Sequence, residues 1–149
     1  VEELSKNLVL FFIGNQRSAS DILSVQSKKT TSNHATKLTL IKMKELADNL
    51  AESITNDIQS VGSYLHENWI LKRTLTQEIS SKTIDNMYEA AIKNGAIGGK
   101  LLGAGGGGFM LFYCPKPYQS KLKKALYKLQ EYPIEIDTLG TRLISTDTI

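Results

Sequence analysis

At 149 residues, with 41% hydrophobic and 22% charged positions, the chain is long enough to bury one sizeable core and is too apolar for a disordered segment. No apolar run approaches the roughly 20 residues that cross a bilayer. A net charge of +3 is too small an excess for a nucleic-acid surface, although it suits an anionic small substrate.

The first apolar run, residues 7–13, is short, β-branched and aromatic, and closes on Gly14-Asn15, which predicts a buried strand. A short helix over 21–28 is expected behind Ser20 as its N-cap, and the polar, aperiodic 28–34 reads as a loop. From there Met43, Leu46, Ala47, Leu50, Ile54, Ile58, Val61 and Leu65 recur at spacings of three and four. Asn56-Asp57 breaks this stripe, so two helices are predicted, over 36–55 and 57–75, with Trp69 extending the second stripe. A third helix starts at Ser81, carries Ile84, Met87, Tyr88, Ala91 and Ile92 on one face, and ends at Gly95. Residues 100–102 and 109–114 are strand candidates around a glycine run. Pro117 opens a helix whose apolar face is Leu122, Ala125, Leu126 and Leu129, stopped by Tyr132-Pro133. Ile134, Ile136 and Thr138 alternate as a last strand, broken at Gly140, with Leu143 and Ile144 beyond it.

The order is β, a block of helices, β, glycine loop, β, helix, β. Without the extra helices this is β-α-β-β-α-β, the ferredoxin-like split arrangement, so the expected fold is α+β, with helices on one face of an antiparallel sheet. No internal repeat or linker divides residues 1–149, so one domain is expected.

Gly103-Ala104-Gly105-Gly106-Gly107-Gly108 satisfies G-x-G-x-x-G, a weak match by itself. A dinucleotide fingerprint would open a helix, but Phe109–Tyr113 reads as strand. A Walker loop would end in Gly-Lys-Ser/Thr, but Phe109 follows Gly108. A plain hairpin needs only one or two glycines. The surplus suits main-chain amides turned toward an anion with no side chains in the way. The bland alternative is a flexible hairpin or a close helix contact.

Lys100-Leu101-Leu102-Gly103-Ala104-Gly105-Gly106-Gly107-Gly108-Phe109-Met110-Leu111-Phe112, preceded by the helix 81–94 and Gly95-Ala96-Ile97-Gly98-Gly99, resembles the third conserved motif of the GHMP small-molecule kinases. Two more stretches resemble the heptose 7-phosphate kinase subgroup: residues 11–23, and Gly62-x-x-Leu65-x-x-x-Trp69-x-Leu71-Lys72. The resemblance implies an ATP-dependent sugar-phosphate kinase that uses Mg2+ and phosphorylates C1 of D-glycero-D-manno-heptose 7-phosphate. It also implies a nucleotide loop, Pro-x-x-x-Gly-(Leu/Ile)-Gly-Ser-Ser-Ala, in an N-terminal domain. None of Pro115, Pro117 and Pro133 begins such a stretch, and the chain opens on Val1 without a signal pattern. It is therefore expected to be the C-terminal domain alone. ATP, Mg2+ and the catalytic acids would be held mainly by the missing domain, and the fragment is expected to be inactive by itself. The loop from Gly103 to Gly108 would supply amide donors or a rigid wall beside the phosphates.

Arg17, between a strand and a helix cap, could grip a phosphate or be an ordinary surface arginine. Lys100 could face a phosphate or solvent. Lys72-Arg73 reads as a cation pair at a helix C-terminus. Lys121, Lys123, Lys124 and Lys128 read as the wet face of a helix, not a nucleic-acid site. Trp69 and Tyr88 read as core, His66 has no evident acid partner, and Cys114 reads as an inert core thiol. One cysteine excludes an internal disulfide framework and fits a reducing, cytoplasmic compartment, and the spacing of His34 and His66 forms no zinc pattern. Expected partners are the sugar phosphate and the N-terminal domain, with no nucleic acid and no membrane. An exposed interdomain face would be unusually apolar and open to self-association. The alternative function on the same fold is a ligand-sensing or interaction module without catalysis.

Overall fold

The computed structural model describes residues 1–14 and 19–141. Leu8–Gly14 (β1), Gly98–Leu101 (β2), Gly108–Tyr113 (β3) and Gln130–Tyr132 (β4) form one sheet in the order β2-β3-β1-β4, every neighbouring pair antiparallel. The two most apolar strands, β1 and β3, are therefore central, with Leu10 opposite Leu111 and Phe12 opposite Phe109. This is the split α+β arrangement that the order of elements predicts. The helices are Glu2–Asn7 (α1), Ala19–Ser32 (α2), His34–Ser53 (α3), Ser60–Leu75 (α4), Lys82–Lys93 (α5) and Lys116–Ala125 (α6), with one 3-10 turn, Gln77–Ile79, between α4 and α5. Among the described residues no helix is long and apolar enough to cross a membrane.

Alternation along the strands sends Val9, Phe11, Met110, Phe112 and Leu101 to one face, where they meet Ile22, Trp69, Ile84, Tyr88, Ala91, Leu122 and Leu126 in a single core. Burying each large side chain of this set contributes about 1.5–3 kcal/mol. Trp69 and Tyr88 are fully or almost fully buried, as their place on the helical stripes predicts. The opposite sheet face holds Leu10, Leu111 and an aromatic group, Phe12, Phe109 and Tyr132, all half-buried. Within it the Phe12–Phe109 and Phe109–Tyr132 centroids are each 5.2 Å apart. Helix α4 lies along β2, and the approach depends on two glycines: a Cβ on Gly98 would strike the Gly62 carbonyl and His66.

The structure departs from the sequence expectations in four places. Residues 28–32 continue α2, and the Thr30 and Ser32 hydroxyls turn back onto the carbonyls of Gln26 and Lys28, so these polar side chains are satisfied within the helix. Ser20 lies inside α2, which starts at Ala19, and is not its N-cap; the next helix, α3, is capped by Asn33, whose Oδ1 accepts from Ala35 and Thr36. Helix α6 ends at Ala125, and the last strand is Gln130–Tyr132, ahead of the predicted 134–138. Pro133 cannot donate to a ladder, while Tyr132 gains the packing of Phe12 and Phe109. Helix α1 was not anticipated; its Glu2–Lys6 pair sits one turn apart on the surface. The α3 stripe packs chiefly on α4 and reaches the main core only through the partly buried Leu40 and Met43, and only Thr36 of that helix is buried. The expectations for Asn15, Arg17, Leu143 and Ile144 lie outside the described residues.

Candidate functional site

The glycine run joins β2 to β3, and the Leu102 amide donating to the Phe109 carbonyl at 2.9 Å closes its base. Gly103, Gly105, Gly106, Gly107 and Gly108 all have positive φ, from 72° to 155°, a backbone path that a chain of ordinary residues would not follow. The loop folds over the 3-10 turn. A Cβ on Gly105 would come within 2.9 Å of the Ile79 Cα, and the Gly106 amide donates to the Ile79 carbonyl at 2.9 Å. This changes the expected picture of an uninterrupted row of donors. The Gly106 amide serves docking, while among the described residues the amides of Gly105 and Gly107 have no acceptor. Ala104 packs its methyl group on the core.

Docked in this way, Gly106 and Gly107 form one wall of a cavity of about 150 Å³. Ile13 and Gly14 at the end of β1 form a second wall, at the point where the β1–β3 register slips. Such an irregularity re-aims the strand end, a common feature beside binding sites. The third wall is the start of α5, with Ser80, Ser81 and Thr83. Ser81 caps α5 by accepting from the Ile84 amide, so the positive end of a 12-residue helix borders the cavity. Ser80 donates to Asp85 at 2.7 Å, and Arg73 donates to the same carboxylate oxygen at 2.8 Å, which pins the junction between the 3-10 turn and α5. Glu78 also lines the cavity.

The Gly107 amide, a helix N-terminus and the Ser81 and Thr83 hydroxyls suit an anion the size of a phosphoryl group, against which the Glu78 carboxylate on the same wall acts. A whole nucleotide needs a pocket of about 300 Å³ or more, so the cavity has the size of a phosphoryl group and not of a nucleotide. Among the described residues no three His, Cys, Asp or Glu side chains come together as a metal-holding group. Among the described residues no lysine or histidine lines the cavity. The wall can bind and orient a phosphate, but it offers no strong nucleophile.

Arg17 lies outside the described residues. Lys100 does not line the cavity; its ammonium donates to Asn68 of α4 at 2.8 Å, and burial lowers its pKa. Lys72 stands in the last turn of α4, as expected, but it is not left to the helix dipole alone. It is 9% exposed and donates to the carbonyls of Leu101 at 3.2 Å and Gly103 at 2.6 Å. The spacing contained the clue: Lys72 stands three positions after Trp69 and three before Leu75, on the buried stripe. Ser80 and Thr83 carried no local signal of a site, because only folding brings them to the loop. His66 meets the Tyr88 hydroxyl through Nδ1 at 2.8 Å. Burial pushes the Tyr88 phenol up to about 12 and the Cys114 thiol up to about 11, so Cys114 is inert at neutral pH.

Domains built on a split α+β sheet with a glycine loop docked between two strands form a recognisable class. The comparisons identify which one. The family described as GHMP kinases C terminal matches residues 43–134. The chain is 34% identical over 136 residues to the D-glycero-alpha-D-manno-heptose 7-phosphate kinase of Campylobacter jejuni, covering 87% of this chain and 38% of that protein. It is 27% identical over 139 residues to the bifunctional fucokinase/GDP-fucose pyrophosphorylase of Arabidopsis thaliana, covering 91% of this chain and 13% of that protein. The Leishmania major mevalonate kinase, solved with R-mevalonate, shares the fold with a TM-score of 0.74 at 20% identity, over 81% of this chain and 37% of that one. The chain belongs to the C-terminal domain family of the GHMP kinases, and it spans well under half the length of both sequence relatives. GHMP kinases are ATP-dependent enzymes that typically use Mg2+.

Proposed function

We propose that this chain is the phosphate-facing C-terminal domain of a cytoplasmic ATP-dependent sugar-phosphate kinase whose substrate is D-glycero-D-manno-heptose 7-phosphate. The product would be the 1,7-bisphosphate. The observation that carries this reading is the cavity where Gly106 and Gly107 face the N-terminus of α5. The 34% identity to a heptose 7-phosphate kinase supports the choice of sugar.

ATP supplies the transferred phosphoryl group, and Mg2+ offsets its charge. The anomeric hydroxyl oxygen forms the new bond to phosphorus, the bond to the ADP oxygen breaks, and the hydroxyl proton leaves for a base outside this domain. The residues of this chain position and stabilise. The Gly107 amide and the α5 terminus hold phosphate oxygens as charge develops on them. The glycine backbone lets those oxygens approach without meeting a side chain. Arg17 and Lys100 remain candidate phosphate contacts in this reading, with Asn68 as the present partner of Lys100. The nucleoside, the metal and the catalytic acids fall to a preceding domain.

The test is ADP release by the complete polypeptide with heptose 7-phosphate, against L-fucose and mannose 6-phosphate. Turnover is expected on the heptose phosphate and not on the other two, and preference for L-fucose would overturn the substrate assignment. Gly106→Val in the complete polypeptide is expected to lower kcat/KM about a hundredfold, because a branched side chain at φ +74° undocks the loop from Ile79 and displaces the neighbouring Gly107 amide, an effect on the scale of losing one aligned oxyanion donor. Unchanged turnover in a folded variant would remove the loop from the site.

A further inference from the structure

A loop of five glycines and one alanine has little conformational preference of its own. Its shape must come from what holds it. Two tethers are visible. One is the Ile79 carbonyl, which takes the Gly106 amide in the middle of the loop. The other is the Lys72 ammonium on α4, which takes the Leu101 and Gly103 carbonyls at the entry limb.

The second tether has a geometric consequence. In a trans peptide the carbonyl and the following N–H point in opposite directions. Holding the Leu101 carbonyl toward α4 turns the Leu102 amide the other way, where it meets the Phe109 carbonyl and closes the hairpin. Holding the Gly103 carbonyl turns the Ala104 amide away from α4 in the same manner. One cation thus sets two alternate peptide planes, Leu101–Leu102 and Gly103–Ala104, at the point where the chain enters the loop. Lys72 is in no ion pair with a described carboxylate, so its charge acts on these main-chain dipoles. It does not line the cavity.

We propose that Lys72 is the positioning residue of the glycine loop: it sets the entry limb so that the amides beyond it face the cavity, and thereby controls phosphate affinity without touching the phosphate. This deepens the phosphoryl-site reading given above and rests on it.

The test uses the 15N-labelled chain titrated with inorganic phosphate, in wild type, Lys72→Met and Lys72→Arg. Lys72→Met is expected to raise amide exchange at residues 104–107 and to weaken phosphate binding, each about tenfold, while α5 amides stay within about twofold. Lys72→Arg, which keeps a charged donor, is expected to recover part of both. In the complete polypeptide Lys72→Met is expected to raise the KM for ATP more than it lowers kcat. A phosphate response that survives Lys72→Met with unchanged loop exchange overturns the role of Lys72 alone. No phosphate response in the wild type overturns the site reading and this role with it. If Lys72→Met does not fold, the wild-type ammonium decides. A slowly exchanging Lys72 Nζ resonance with contacts to Leu101 and Gly103 is expected, and a freely exchanging one overturns the proposal.

Discussion

Lys72 carries a positive charge where water is scarce. Burial lowers its pKa from the ordinary lysine value to about 8, and the like charge of Lys100 acts in the same direction. The unfolded chain holds this proton up to about 10.5, so between about 8 and 10.5 the unfolded state binds more protons and stability rises with pH. Below about 8 the buried ammonium costs ~3 kcal/mol relative to a neutral amine. Cys114 acts in the opposite sense at the alkaline end, because its thiol is held protonated in the fold. The informative quantity is therefore the difference between wild type and Lys72→Met. Urea midpoints at about pH 7 and about pH 9.5 should show the wild type gaining on the variant as pH rises; a constant difference would mean that the fold does not lower the Lys72 pKa. Gly105 offers a second residue-level prediction. Gly105→Ala combines φ of +115° with a methyl against the Ile79 main chain and is expected to cost about 1–3 kcal/mol by urea unfolding. Gly103→Ala, which points into open space, should cost less.

At the scale of elements, α5 and the loop work as one unit. The Ser81 cap and the Gly95 terminus of α5 were legible because both are local chemistry: a hydroxyl accepting from the Ile84 amide, and a residue at φ +107°. Ser81→Ala should cost about 1 kcal/mol of stability in chemical denaturation and also weaken phosphate binding, since the same helix end borders the cavity. A stability loss without any effect on binding would separate the helix end from the site. The contact of α4 with β2 was not legible, because neither Gly62 nor Gly98 announces that it faces the other. Gly98→Ala should cost about 1–3 kcal/mol, since α4 must lift from the strand that carries the loop. The short β4 also escaped the pattern reading. Alternation at Ile134 and Ile136 is a genuine period-two signal, but pairing is set by β1, which meets Gln130–Tyr132.

Across the whole molecule, the cavity accommodates a phosphoryl group and not a nucleoside, and the chain spans 38% of the length of its heptose kinase relative. The chain alone is accordingly expected to bind inorganic phosphate weakly and to release no ADP from ATP and heptose 7-phosphate, a result that a coupled assay reads directly. Phosphoryl transfer by the 149 residues alone would return the catalytic groups to this domain. The half-buried sheet face of Leu10, Phe12, Phe109, Leu111 and Tyr132 is the broad apolar surface of the fold. Exposed Leu23, Leu38 and Ile41 are spread over α2 and α3 instead.

Sequence by itself determined the order of strands and helices, the caps of α5, the buried character of Trp69, Tyr88 and Cys114, and the family. These rest on periodicity, on capping chemistry and on one contiguous motif, all of which are complete within a few residues. Tertiary structure decided the site. It placed Ile79 under Gly106, set Ser80 and Thr83 across from Gly107, and brought Lys72 to carbonyls 29 and 31 positions away. The physical reason is that a glycine loop encodes permission for many shapes and preference for none, so its shape is supplied by whatever packs against it.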